Sequence, residues 1–542
     1  MRWLGWFSAW FLAAAVASCA EWQWSSPVRH AKYNPGMARA FLWIPPHCER
    51  VRAVVLAQHN MEEISLLEDP GFRRALADLN FAEVWVAPSF DHFFRFNEGA
   101  GDVFQAMMDD LARESGYDEL KLAPVAGLGH SAAASWPYYF AAWNPDRTLA
   151  ALSVSGQWPY VRNQFAPDIW GDRTIDFVPC LETMGEYEAA NTWSAEGLHE
   201  RRQHPLTPLS MLACPAEGHF ASTERKAQYL ALYLAKAAHY RLPAQWSGQA
   251  PAELTPIDPA KSGWLADKWR LNQPPRAPAA PVAKYQGDPK EAFWCFDEEM
   301  AGATEAYGAA QRGLKPQLVG FQQNGAFVPQ TDSHLQVSPR FEPADDGITF
   351  QLATDFYGAV PAGSPRPERW TGLPVGSPLG HAAGPISVQR ICGPFAKLGP
   401  DTFAVRLQKE TTGHEERYEL VFAAVHPGDA EYKAAVQQAH MFIPARNAAG
   451  AEQHLRFPPI PDQKLGVRTL KLHATSDAGV PVYFYLREGP AEIEGDTLTF
   501  TPVPPRARYP LKVAVVAWQY GRATEPKLQT AEPIERTFNL LK

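Results

Sequence analysis

The segment Gly129-His130-Ser131-Ala132-Ala133 follows the run KLAPVAGL at residues 121–128, which reads as a strand, and precedes AASWPYYF, which reads as a helix. Pro137 must either kink that helix or sit in its first turn. A serine at a sharp strand-to-helix turn needs small residues two before and two after it, because the backbone there is strained and closely packed. Gly129 and Ala133 meet that need, which makes Ser131 the candidate nucleophile.

Working outward, short apolar runs at residues 52–58, 81–88, 121–128, 149–155, 176–184 and 208–214 read as strands. Between them, Phe72, Leu76 and Leu79 share one helical face, as do Val103, Met107 and Leu111, and residues 224–240 form a long amphipathic helix. Strands alternating with helices predict an α/β domain built on a mostly parallel sheet with helices on both faces. The fifth strand runs into Gly185-Glu186-Tyr187-Glu188, and the sixth into Ala216-Glu217-Gly218-His219-Phe220. His219 is the candidate base for Ser131, and Glu188 or Glu186 the carboxylate that would fix its tautomer.

Serine, acid and histidine in this order on these elements resemble the α/β-hydrolase superfamily over residues 40–243. The resemblance implies acyl transfer to water through a covalent acyl-serine, with no metal and no organic cofactor. It favours Glu188 over Glu186, since the position three after Gly185 matches the place of the family's acid. It also implies two backbone donors for the oxyanion. One is the N–H of Ala132, helped by the helix start that follows. The other is the N–H of Met61, in a loop Gln58-His59-Asn60-Met61 that stands where related enzymes carry His-Gly, with Asn60 as the alternative. His59 is read as bracing that loop and His130 as packing beside the nucleophile. Departures from the pattern are Ala133 in place of the commoner glycine, glutamate as the acid, and a short connection where a large cap would sit; the last favours an open site.

Trp158 and Tyr160, in the loop after the strand at 149–155, and Trp136 are expected to set aromatic faces near the site, where a sugar ring or a feruloyl group could stack. With the β-rich remainder, this resembles secreted bacterial carbohydrate esterases, and implies an ester substrate on a polysaccharide or oligosaccharide, acetylated or hydroxycinnamoylated. Rival readings are a general carboxylesterase or lipase-like hydrolase of small esters, and a glycan-binding protein with a vestigial hydrolase domain.

The 542 residues are too many for one core. Residues 1–20 read as a signal peptide, with one early charge at Arg2, an apolar run and small residues at a cleavage site after Ala20. Val16-Ala17-Ser18-Cys19 also resembles a lipoprotein box, so the expectation is a secreted or periplasmic protein whose only membrane tie would be lipid on Cys19. The catalytic domain is expected over 21–243, a Pro/Ala-rich spacer over 244–285, with helix over 288–312, and a β-rich domain of unassigned role over 286–445. Residues 446–542 alternate cleanly, placing Leu470, Leu472 and Ala474 on one face, then Val482, Phe484 and Leu486, then Val513, Val515 and Ala517. This stretch resembles the bacterial immunoglobulin-like β-sandwich modules appended to secreted enzymes.

A net charge of −9 gives no basic footprint for a phosphate backbone and argues against nucleic acid as a partner. Cys48, Cys180, Cys214, Cys295 and Cys392 show no metal or redox spacing. Cys180 and Cys214, on neighbouring predicted strands, are the pair expected if any disulfide forms.

Overall fold

The computed structural model describes residues 21–160, 167–331, 334, 336–362, 370–411 and 415–542, so the predicted signal segment, Arg2 and Cys19 lie outside the described residues. At its centre is an eight-stranded sheet in the order β1-β2-β4-β3-β5-β6-β7-β8. The strands are β1 Trp24–Pro27, β2 Arg39–Trp43, β3 Ala53–Gln58, β4 Phe81–Ala87, β5 Val125–His130, β6 Thr148–Val154, β7 Cys180–Gly185 and β8 Leu209–Cys214. β1 and β2 pair antiparallel with each other, as do β2 and β4, and β3 to β8 run parallel. Every residue of β3 to β8 is buried, which is why these strands read as unbroken apolar runs rather than as alternation. On β3, Val54 and Leu56 enter one core and Ala53, Val55 and Ala57 the other, so both faces are covered. The order and the crossovers fit the α/β-hydrolase fold that the sequence resembles. All parallel strands end at one edge of the sheet, and that edge receives the candidate site.

Up to residue 243, each helix that the sequence places is present. Pro70–Leu79 is capped by Asp69, which accepts from the Phe72 N–H at 2.8 Å, and stops at Asn80 in the left-handed region. Glu224–Arg241 is capped by Thr223, and Pro137 occupies the first turn of Trp136–Trp143 without kinking it. A helix that the sequence reading did not assign, Ala190–Gln203, connects β7 to β8.

Two expectations change beyond residue 243. The stretch 244–285 is not a free spacer: the Ile257 N–H donates to Phe177 O (3.1 Å), Arg241 Nε donates to Thr255 O (3.0 Å), and Trp264–Asp267 pairs with Ala280–Pro281 and with Ala292–Cys295. A Pro/Ala run has little side-chain bulk, and its proline is tolerated because it lies on an edge strand. The helix read over 288–312 covers only Glu298–Ala309, capped by Asp297. The aromatic-rich Ala292–Cys295 before it forms a strand beside β8, where Ser210 Oγ donates to Trp294 O at 2.7 Å. The Cys180–Cys214 pairing is also excluded. Parallel register sets Cys180 opposite Leu209 and Cys214 opposite Gly185, at opposite ends of the two strands, and all five cysteines among the described residues are free and buried.

The β-rich half is laid onto the layer of the parallel sheet. The antiparallel sheet of Ser387–Cys392, Arg417–His426 and Ala435–Pro444 is apolar on both faces. Leu420, Phe422 and Ala424 fill its own domain's core, while Val421 and Ala423 enter the core on one face of the parallel sheet. Farther on, Gln463–Lys464, Ile534–Leu541, Leu511–Trp518 and Tyr483–Glu488 form a four-stranded sheet, and Thr469–Lys471, Thr497–Phe500 and Ala491–Glu494 a three-stranded one. Leu472, Val513, Val515 and Ala517 lie in the core, with Leu470, Ala474, Val482, Phe484 and Leu486 packed at its margin, as the alternation predicts. The opposite face of the same strand, through Val516 and Trp518, closes the middle core. Arg506 to Glu119 at 3.0 Å and Ser25 to Glu488 at 2.5 Å tie this last region to the first. Among the described residues no helix is long and apolar enough to cross a membrane.

Candidate active site

At the end of β5, Ser131 has φ 52°, the left-handed region that non-glycine residues seldom adopt. The turn is tight enough that a Cβ on Gly129 would lie 2.1 Å from Ala133 O, and one on Gly156 2.2 Å from Ala134 Cβ. Glycine is therefore demanded two before the serine, whereas alanine is accommodated two after it. Ser131 is half-buried and Ala132 is exposed at the start of the helical turn.

Glu188 and His219 meet beyond the ends of β7 and β8. A Cβ on Gly185 would lie 2.5 Å from Glu217 O, and the Tyr187 N–H donates to that same oxygen at 3.0 Å, so the acid turn lies directly against the histidine loop. Glu188 Oε2 is 2.6 Å from His219 Nδ1. Burial works against the charge on Glu188, but the hydrogen bonds from His219 and His334 outweigh it and hold the carboxyl down at about 2. An ionised carboxylate only accepts, so Nδ1 carries the proton and Nε2 keeps its lone pair. His219 Nε2 is buried without a hydrogen-bond partner. Burial lowers the His219 pKa, against the pull of Glu188, so the ring is a neutral base near neutrality. Glu186, the alternative acid, is engaged elsewhere: Oε1 pairs with Lys433 Nζ at 3.1 Å and Oε2 accepts from the Ala216 N–H at 2.8 Å.

The residue before the nucleophile touches the histidine loop. His130 Nε2 lies 2.9 Å from His219 O and 3.4 Å from Glu62 Oε2, and burial pushes its pKa well down. His130 thus packs and braces, as expected, and His59 does the same with its ring edge-on to Trp85 and its carbonyl held by His92.

The oxyanion assignment is corrected in part. The N–H groups of Met61 and Asn60 both donate to Glu63 Oε2, at 2.8 and 3.1 Å, and Glu63 Oε1 accepts from the His130 N–H at 2.8 Å. A donor committed to a buried carboxylate is not available to an oxyanion. Burial raises Glu63 to about 7 even against these three bonds. Ala132, the other expected donor, stands exposed at the start of the helical turn after Ser131. A side-chain donor lies nearby instead: Asn60 Nδ2 donates one hydrogen to His130 O at 3.1 Å and retains a second.

The aromatic assignments are corrected too. Trp158 is fully buried, donates to Trp193 O at 2.8 Å and stacks on Phe293. Trp136 is fully buried under the nucleophile strand and donates to Leu128 O at 3.0 Å. Tyr160 turns toward the opposite edge of the sheet, where its hydroxyl meets Thr207 Oγ1 at 3.2 Å just before β8 begins. Large apolar rings in a chain folded around three cores go inside, and their sequence gives no sign of which do not.

Two residues absent from the sequence reading reach the site from the β-rich half. His334 Nδ1 is 2.8 Å from Glu188 Oε1, and its ring stacks on His219 at 3.8 Å and 18°. Gln438 donates to His334 O at 2.8 Å and accepts from the Phe220 N–H. No local motif announces either residue. Glu188, His219 and His334 are also the one three-residue group of metal-binding type among the described residues, but both Nδ1 atoms are spent on the carboxylate.

Among solved structures, the chain is similar to esterase PE8 (15% identity, covering 36% of this chain and 97% of that one, TM-score 0.28). It is similar to Est1E from Butyrivibrio proteoclasticus (12%, 37% and 95%, TM-score 0.28) and to an S-formylglutathione hydrolase from Agrobacterium tumefaciens (13%, 37% and 89%, TM-score 0.28). No protein-family model and no curated protein matches the chain.

Proposed function

We propose that this protein is a serine esterase that hydrolyses carboxylic esters through an acyl-serine intermediate. The observation that carries the reading is His219, bound through Nδ1 to Glu188 at 2.6 Å with Nε2 unpartnered, beside a nucleophile turn with Ser131 at φ 52°. Ser131 Oγ attacks the ester carbonyl carbon while its proton passes to His219 Nε2. The tetrahedral oxyanion is held by the Ala132 N–H and the second hydrogen of Asn60 Nδ2. Collapse breaks the bond to the alcohol oxygen, which leaves with the proton from His219. Water repeats the sequence on the acyl-serine and releases the acid. Glu188 stays ionised throughout and stabilises the imidazolium.

The esters we propose are acetyl or hydroxycinnamoyl groups on polysaccharide, met by an exported protein or one tethered through Cys19, with residues 446–542 as an immunoglobulin-like module. Small soluble esters are the second reading. It is favoured by one observation: Trp136 and Trp158 are interior and Tyr160 lies at the far edge, so none of the three offers a stacking face to a sugar. The half-buried Trp370 of the β-rich half lies with its ring 4.4 Å from that of Tyr187, beside the acid.

Hydrolysis of p-nitrophenyl acetate and of acetylated or feruloylated polysaccharide, with Ser131→Ala alongside, tests both. Loss of turnover by at least about 10³-fold with an unchanged melting temperature is expected for the variant. Serine-independent turnover sinks the mechanism, and turnover of the small ester alone selects the second reading.

A further inference from the structure

We infer that His334, carried in by the β-rich half, is a positioning residue that shares the Glu188 carboxylate with His219 and sets the proton affinity of that base. The inference rests on the serine-esterase reading for its catalytic consequence, but not for its physical content.

Three observations support it. The two oxygens of Glu188 are divided between two imidazoles, Oε2 to His219 Nδ1 at 2.6 Å and Oε1 to His334 Nδ1 at 2.8 Å. The two rings are stacked at 3.8 Å, with His219 buried and His334 half-buried above it. Gln438 holds both residues at once, through His334 O and the Phe220 N–H next to His219. Glutamate has one more rotatable bond than aspartate, so its carboxylate needs a second anchor to keep Oε2 aimed at a base. His334 supplies that anchor. It also takes part of the carboxylate's charge, and once protonated it places a like charge a ring's thickness from His219. Both effects lower the proton affinity of His219. The other charged and titratable groups facing His219 are His130, whose ring centroid is 4.8 Å away, and Lys226, held between Glu62 and Glu217.

The test uses the full chain and two substitutions. His334→Phe keeps a ring over His219 but removes the donor and the charge; His334→Asn keeps a donor but removes the charge and the stacked ring. In an NMR titration of ring-labelled histidine, the His219 midpoint is expected to move upward in both variants, and with it the acid limb of kcat/KM. Turnover is expected to fall roughly tenfold in His334→Phe, with KM little changed, and to be largely restored in His334→Asn. A His219 midpoint equal to wild type in both variants overturns the proposal. If the phenylalanine variant does not fold, the asparagine variant decides by the same midpoint. If the midpoint moves but no ester is turned over by any form, including wild type, the esterase reading falls while the shared carboxylate stands.

Discussion

The parallel sheet and the antiparallel layer laid over its edge contribute to the site in different ways. The parallel sheet presents Ser131, Glu188 and His219 from the ends of β5, β7 and β8, each on a short turn fixed by a nearby glycine. The antiparallel layer places no reacting group there. It supplies Lys433, which takes Glu186, and His334 and Gln438, which pin Glu188 and the histidine loop. Two carboxylates two residues apart thus have different fates because a lysine more than two hundred residues later in the chain claims one of them. Under the proposed mechanism the first layer provides the chemistry, and the second selects which carboxylate is free to serve it.

The sharpest way to break that comparison is to neutralise each carboxylate in turn. Glu188→Gln should lower kcat by about 10³–10⁴-fold, the scale expected when a base loses the group that fixes its tautomer. Glu186→Gln should leave kcat near wild type but cost about 3–5 kcal/mol of stability, because Lys433 is left charged and buried. Equal kinetic losses in the two would dissolve the distinction. The pH dependence of stability carries the same signature. Glu188 falls in the native state from its ordinary 4.5 to about 2, so its contribution is complete above about 4.5 and is lost as pH falls toward 2, on the order of 3 kcal/mol. Glu63, raised to about 7, acts in the opposite sense and withdraws stability as pH climbs from about 4.5 to 7. Melting curves of wild type and Glu188→Gln should therefore converge below pH 4.5.

A smaller effect probes the donor side. Asn60→Ala should reduce kcat by about 10²-fold, as for other side-chain oxyanion donors, with a lesser change in KM. Met61→Ala, which leaves the backbone N–H on Glu63, should do little. Wild-type turnover in Asn60→Ala would return the role to the backbone of that loop.

What could be read in advance follows the same division. The nucleophile turn and the order of acid and base are local patterns, and the burial of β3 to β8 on both faces makes their apolar runs unmistakable. The choice between Glu186 and Glu188 could be leaned on the family's pattern, but its physical cause is Lys433, which no spacing reveals. His334 sits 146 positions from Glu188 with no motif around it. The engagement of the Met61 N–H is hidden in the sequence because Glu63, two residues beyond it, looks like an ordinary first-turn acid of the helix Glu63–Leu67. The packing of residues 244–285 is not legible because proline and alanine signal extension without saying whether the extended chain is packed.

The smallest effect is the most discriminating test of how closely the two layers act together. Gln438 is nearly fully buried, and a Cβ on Gly218 would lie 2.8 Å from its side chain, so the histidine loop and this one amide are fitted to each other. Gln438→Ala strands the Phe220 N–H and the His334 carbonyl, which should cost about 1–3 kcal/mol of stability. It should also lower kcat a few-fold, because both imidazoles on Glu188 lose a support. Gln438→Glu retains an acceptor for Phe220 but no donor for His334, and should fall between alanine and wild type in both measurements. If the alanine variant melts earlier yet turns over at the wild-type rate, the antiparallel layer holds the fold together but not the site, and the selection attributed to it reduces to the Lys433 pairing alone.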